Sequence, residues 1–172
     1  MRVIVSIIAL CFTASVCSGQ DAAMALSSPA FAANGMIPAK YSCEGRQVSP
    51  PLHISNIPFG TQYLVITMHD PDAPIEGGFT HWVVWNIDTK RRKEMDIPEN
   101  FTGGEQGTNG ANKKGYTGMC PPKGLHHYHF VLYALKDKLQ LPPETNKIRL
   151  DLGLQGHIVA QSELIGTYQK TK

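Results

Sequence analysis

The sequence predicts a mainly-β single domain, and three observations predict it. Sixteen glycines and twelve prolines punctuate a chain in which helical periodicity is scarce. Between them stand short runs of β-branched and aromatic residues, the clearest being Tyr63–Met68, His81–Ile87 and His127–Leu135. Finally, 172 residues with 42% hydrophobic content suffice for one domain with a real core, without internal repeats that would suggest a second.

Taken in order, the first residues stand apart. Arg2 precedes an apolar run from Val3 to Ala14, broken only by Ser6 and Thr13, and small residues follow at Ser15, Ser18 and Gly19. The run is shorter than the ~20 residues a spanning helix needs, so residues 1–19 read as a cleaved secretory signal peptide and residues 20–172 as the domain. Periplasmic or secreted protein is therefore expected. Cys17 offers a lipoprotein alternative, weakened by the bulky Val16 before it. The formal charge of +2, or +1 once Arg2 is removed, excludes a strongly basic nucleic-acid binder. Removal of 1–19 also leaves two cysteines, Cys43 and Cys120. They form either one disulfide or two buried thiols, and export favours the bond.

Residues 20–35 are rich in Ala, Ser and Gly and read as an irregular lead-in. Tyr41, Leu52 and Ile54 are apolar anchors in the Pro- and Gly-studded stretch through Pro58. After Tyr63–Met68 comes the turn segment Asp70-Pro71-Asp72-Ala73-Pro74, then Gly77-Gly78 and the strand His81–Ile87. Lys90-Arg91-Arg92-Lys93 is a short basic run, most simply a solvated hairpin edge. Residues 102–124 hold many glycines and read as a long functional loop. In the next strand, alternation puts His126, Tyr128, Phe130 and Leu132 on one face and His127, His129, Val131 and Tyr133 on the other. Residues 145–156 fit both a strand and a helix capped by Thr145. Ile158 to Tyr168 reads as the final strand.

Three segments could carry chemistry. In DPDAP (70–74) two prolines restrict the backbone around two carboxylates, which holds Asp70 at a sheet rim. FTHWVVWNI (79–87) opens with His81 near the same kind of rim. GYTGMCPPKGLHHYHF (115–130) feeds a Gly- and Pro-shaped loop into a strand. There Gly118 permits close approach of backbone to a ligand, and the N–H groups near Met119 and Cys120 can form an anion-accepting concavity. Imidazoles of His81 and His126 and the Tyr128 hydroxyl are donors to an oxyanion, protonated histidines adding charge. A carboxylate beside an anion is unfavourable, so Asp70 is expected to orient a histidine by accepting from its second ring N–H.

DPDAP, HWVVWNI and GYTGMCPPKGLHHYHFVLYAL, with SSPAF, IPAKYSCEG, SPPL and ELIGTYQK around them, resemble the phosphatidylethanolamine-binding proteins, specifically the bacterial Raf kinase inhibitor-like branch. The resemblance covers nearly all of residues 27–170. It implies a β-sandwich of two antiparallel sheets with one or two short helices, one of them after Pro143. It also implies a rim pocket for phosphate-like groups and lipid head groups. By motif position, Asp70, Ala73, Pro74, His81, Gly118, Cys120, Pro121, His126 and Tyr128 would form that ligand site. The same resemblance, with the tight turn, implies a cis Ala73–Pro74 bond. The chain departs from the pattern at His127, where relatives carry Arg, at Met119, where they carry Pro, and after Asn109. The C-terminal helix of eukaryotic relatives has no counterpart, which implies a more open pocket.

The expectation is a binding protein without turnover, needing no cofactor, for a phosphate-like anion or phospholipid head group. A protein partner such as a kinase or protease follows only by fold-level analogy, and a homodimer stays open. A rival is a thiol hydrolase, with Cys120 attacking, His126 or His81 as base and Asp70 as orienter. A metal site of His81, His126, His127 and His129 is disfavoured, because the strand splits those side chains across two faces.

Overall fold

Two antiparallel sheets face one another across the main core. The computed structural model describes residues 22–171, so the expected signal peptide and Cys17 lie outside the described residues. The strands are β1 (Ala25–Ser27), β2 (Leu52–Ser55), β3 (Tyr63–Asp70), β4 (Phe79–Asp88), β5 (Met95–Ile97), β6 (Glu105–Gln106), β7 (His126–Leu135) and β8 (Ile158–Tyr168), with helix α1 (Lys147–Gly153) before the last. The small sheet has the order β1-β2-β5 and the large one β6-β4-β3-β7-β8.

The large sheet is covered on both faces. Toward the small sheet, Leu64, Ile66, Trp82, Phe130 and Leu132 pack with Leu26, Leu52, Ile54 and Ile97. On the other face, Val65, Val83 and Trp85 pack with Leu139, Leu150 and Leu154 of the α1 region. Double coverage explains why β3 and β4 read as near-continuous apolar runs instead of alternating ones. β7 has more exposed positions, and there the expected alternation holds: 126, 128, 130 and 132 point inward and 127 stands in solvent.

Several local expectations are corrected. The segment 20–35 contains β1, because Ala25–Ser27 gains a ladder from β2 that its composition does not announce. The long loop 102–124 contains β6, which adds a short edge beside β4. Residues 145–156 are resolved as helix, but Asn146 is the cap, its side chain accepting from the Arg149 N–H. Thr145 is instead buried, its carbonyl accepting from the Thr108 N–H.

Two irregularities in the β3–β4 ladder matter for the site. Leu64 pairs with Ile87 and Ile66 with Val84, so Trp85 and Asn86 together oppose Val65, with Asn86 at φ 55°. The Asn86 amide offsets the disturbance by bonding both the carbonyl and the N–H of Leu139. Farther along, Met68 pairs with Trp82 but His69 pairs with Thr80. His81 is thus the extra residue of a β-bulge, a device that re-aims a side chain.

Candidate functional site

β3 ends at Asp70 and β4 begins at Phe79, so the turn between them forms a rim. The turn is built from side-chain and glycine devices. Asp70 Oδ1 accepts from the Asp72 N–H at 2.9 Å, and the Ala73 and Ile75 carbonyls accept from Ile75 and Gly78. Gly77 and Gly78 both take positive φ. Together these reverse the chain with every described peptide bond trans, so the expected cis Ala73–Pro74 bond is not present.

Beside the rim lies a cavity of about 410 Å³. Asp70, Ala73, Pro74, His81, Gly118, Cys120, Pro121 and His126 line it, so eight of the nine sequence-named residues converge there. Apolar walls and a few convergent polar groups are the usual make-up of a small-molecule site. Cys43, Phe79 and Thr117 join the lining. Phe79 was legible, since it opens the same strand motif as His81, and its ring meets that imidazole edge-on at 4.7 Å. Gln47 also lines the cavity and carries no sequence signal; it arrives with the loop held by Cys43.

Tyr128 is the ninth residue, and it does not line the cavity. It is wholly buried, with its ring against His81 at 5.3 Å and His126 at 6.4 Å. It shares a face with His126 but sits two residues deeper along β7, where the core covers it. Its hydroxyl has no hydrogen-bond partner of ordinary geometry. Burial, and then the nearby Asp70 charge, push its pKa up, so it stays protonated. It is a floor beneath the imidazoles.

The Asp70 carboxylate reaches the His126 ring. Its Oδ2 lies 2.8 Å from His126 Nδ1, both residues being buried. The carboxylate fixes the ring so that Nδ1 carries the proton and Nε2 is the remaining nitrogen. Asp72 repeats the device outside: its Oδ2 accepts from the His127 N–H at 2.8 Å and from Nδ1 at 2.7 Å. This pins the turn to the start of β7, and those bonds hold the Asp72 carboxyl below its usual range. His127, at the family's arginine position, is occupied with this clamp.

His81 differs from expectation. Its Nδ1 lies 3.0 Å from the Thr117 carbonyl, which can only accept, so Nδ1 is the donor and Nε2 the acceptor in the neutral ring. Burial pushes its pKa down to about 4, against the opposing pull of the Thr117 carbonyl and Asp70. It therefore brings neither charge nor a spare donor at neutral pH. Gly118 is needed for a reason other than ligand approach. A Cβ there would lie 2.9 Å from the Ser42 carbonyl carbon and 3.1 Å from the Cys43 nitrogen. The contact is backbone against backbone, and the Met119 carbonyl accepts from the Cys43 N–H beside it.

Cys43 and Cys120 are disulfide-bonded, with Cα atoms 5.4 Å apart. That overturns the thiol-hydrolase reading, which requires a free Cys120. Among the described residues no group of three or more His, Cys, Asp or Glu could hold a metal ion. His129 pairs with Glu163 on the outer face.

The phosphatidylethanolamine-binding protein family profile matches residues 27–169. The chain belongs to this family. A UPF0098 protein of Pyrococcus horikoshii is 40% identical over 153 residues, covering 83% of this chain and 75% of its own length. A UPF0098 protein of Aquifex aeolicus is 39% identical over 160 residues, 89% of this chain and 92% of its own. Among solved structures, a putative phosphatidylethanolamine-binding protein homolog from Chlamydia trachomatis aligns with TM-score 0.80 and 38% identity, over 86% of this chain and 98% of that one. E. coli YbcL, described as a member of the mammalian family, aligns with TM-score 0.79 and 29% identity, over 87% of this chain and 100% of that one. The mainly-β fold read from the sequence is thus the family's.

Proposed function

We propose that this family member is an exported binding protein whose cavity takes a small phosphate-bearing ligand without turning it over. The observation that carries the reading is the buried Asp70–His126 pair opening onto a largely apolar cavity. A protonated His126 would present Nε2–H to an oxyanion, while Asp70, already satisfied by His126 and the Asp72 N–H, compensates its charge. His81 faces the ligand as an acceptor, which suits a ligand that also carries N–H or O–H donors. A phosphoethanolamine head group combines both features, and a protonated phosphate is the minimal version. Export is supported by the Cys43–Cys120 bond together with the signal-like N-terminus. The intact mass of protein recovered from outside the cytoplasm tests it, and a retained N-terminus or a lipid adduct on Cys17 would refute the cleaved form.

The ligand is tested by calorimetry with inorganic phosphate, glycerophosphoethanolamine and glycerophosphocholine. His126→Ala is expected to lose about 1.5–3 kcal/mol of binding, the range for a charge-assisted hydrogen bond. The ethanolamine compound should bind more tightly than the choline compound, whose quaternary nitrogen has no N–H to give His81. Equal affinity of wild type and His126→Ala would place the site elsewhere. Product formation in the same samples would refute the binding-only reading.

A further inference from the structure

The large sheet has a second exposed end. Asp70 and Phe79 form the cavity rim, whereas the opposite end is the rung Asp88, Tyr63, Leu135 and Ile158. The eight residues of β3 separate the two by about 25 Å. At this far end Phe59 is fully exposed, and Ile158 and Val159 at the start of β8 are exposed as well. The Phe59 turn is tied to the basic run by the Ile57 N–H, which donates to the Lys93 carbonyl at 2.8 Å.

The basic run is built against local preference. The Arg92 N–H donates to the Thr89 carbonyl, closing a tight turn whose central residues Lys90 and Arg91 have φ of 49° and 58°. Two successive left-handed residues in a hairpin turn ordinarily fall to Asn-Gly. Here two long cations occupy them. None of Lys90, Arg91, Arg92 and Lys93 is in an ion pair among the described residues, and Arg91, Arg92 and Lys93 line one groove with Phe59. Of the flanking acids, Asp88 is engaged with the Lys90 N–H and Glu94 follows the run. Backbone strain held at an exposed turn by two successive long cations is the kind of outlier that gathers at functional surfaces.

We infer that the Phe59 turn and the Lys90–Lys93 turn dock this protein on an anionic lipid surface. A lone, fully exposed aromatic beside unpaired cations matches the water–bilayer boundary, where the ring enters the head-group layer and the cations meet lipid phosphates. A nucleic acid is a poorer fit, because the whole chain carries only +2 and the tip offers a single aromatic rather than a stacking row. The chain also enters the described fold here. Ala22 and Ala23 share a groove with Phe59 and Lys93. The docking surface does not depend on what the cavity binds.

The test is co-sedimentation of residues 20–172, the form that export leaves, with phosphatidylcholine vesicles, with and without phosphatidylglycerol. Parent protein is expected to bind the anionic vesicles, and salt should release it. Phe59→Ser should weaken binding about tenfold, the worth of one inserted aromatic side chain. The double variant Lys90→Asn/Arg91→Gly should also weaken it about tenfold, since each cation near the surface contributes several-fold. The same variant relieves the turn, so its melting temperature should rise. Weakened docking then cannot be misfolding. Equal binding to pure phosphatidylcholine, no binding at low salt, or unchanged binding by both variants would overturn the proposal. So would stronger binding to single-stranded DNA or polyglutamate than to anionic vesicles.

Discussion

Asp70 Oδ2 and His126 Nδ1 face each other at 2.8 Å in the buried rim. Removing one partner strands the other. His126→Ala is expected to destabilise the fold by about 3 kcal/mol, because it leaves a buried carboxylate short of a donor. Asp70→Asn should cost less, since an amide can keep one of the two acceptor contacts. The double variant should recover part of the loss, with a coupling of about 1–3 kcal/mol in denaturant unfolding. Strict additivity would show that the contact has no energetic weight.

The buried His81 makes stability depend on pH. Its folded pKa is depressed to about 4, while the unfolded ring titrates near ~6.5. The unfolded state therefore takes up the proton first. The contribution is fully present above the unfolded value and is lost as pH falls from there toward 4. At ~1.4 kcal/mol per pH unit this amounts to about 3 kcal/mol. His81→Asn keeps a donor for the Thr117 carbonyl but does not titrate. Unfolding curves of this variant should be flatter across that window, and an identical pH slope would contradict the assignment.

Reduction should act on both stability and binding. The Cys43–Cys120 bond spans a separation of 77 residues, for which loop-closure entropy gives about 4 kcal/mol. Both cysteines also line the cavity. Cys43→Ser/Cys120→Ser should unfold at lower denaturant and bind phosphate more weakly, because the wall carrying Gln47 loosens. Unchanged stability after complete reduction would remove the bond from the account.

Gly118 and Gly124 give a paired test of backbone contact. A Cβ at Gly118 meets the Ser42–Cys43 backbone, whereas Gly124, at φ 79°, has nothing within 4 Å. Gly118→Ala should therefore cost about 1–3 kcal/mol through overpacking and disturb the cavity. Gly124→Ala should cost only about 1 kcal/mol of backbone strain. Equal costs would mean that the 118 contact is soft.

Much of this was legible from residue order because the physics is local. β3, β4 and β7 announce themselves since their cores are covered and their side chains must be apolar or β-branched. Asp70, His81 and His126 are legible because prolines, glycines and strand ends put unlike groups at one rim. β1 is not, because Ala-Leu-Ser becomes a strand only through its partner β2. Gln47 is not, because a disulfide delivers it. Tyr128 shows the limit of alternation: the pattern gives its face, but whether that rung lies at the mouth or under the core is set by tertiary packing. Likewise the cis bond expected at Pro74 is made unnecessary by a carboxylate and two glycines.

The bulge at His81 has a consequence for how this site can come and go. Met68 faces Trp82, His69 faces Thr80 and Asp70 faces Phe79, so the ladder closes as if His81 were not in the chain. Loss of that single codon would restore an unbroken run of pairs. The change would erase the imidazole from the cavity and leave the scaffold's register untouched. The imidazole that His81 adds to the cavity wall is an insertion in the strand that the architecture can do without, so a lineage could drop this group and keep both the fold and the Asp70–His126 pair.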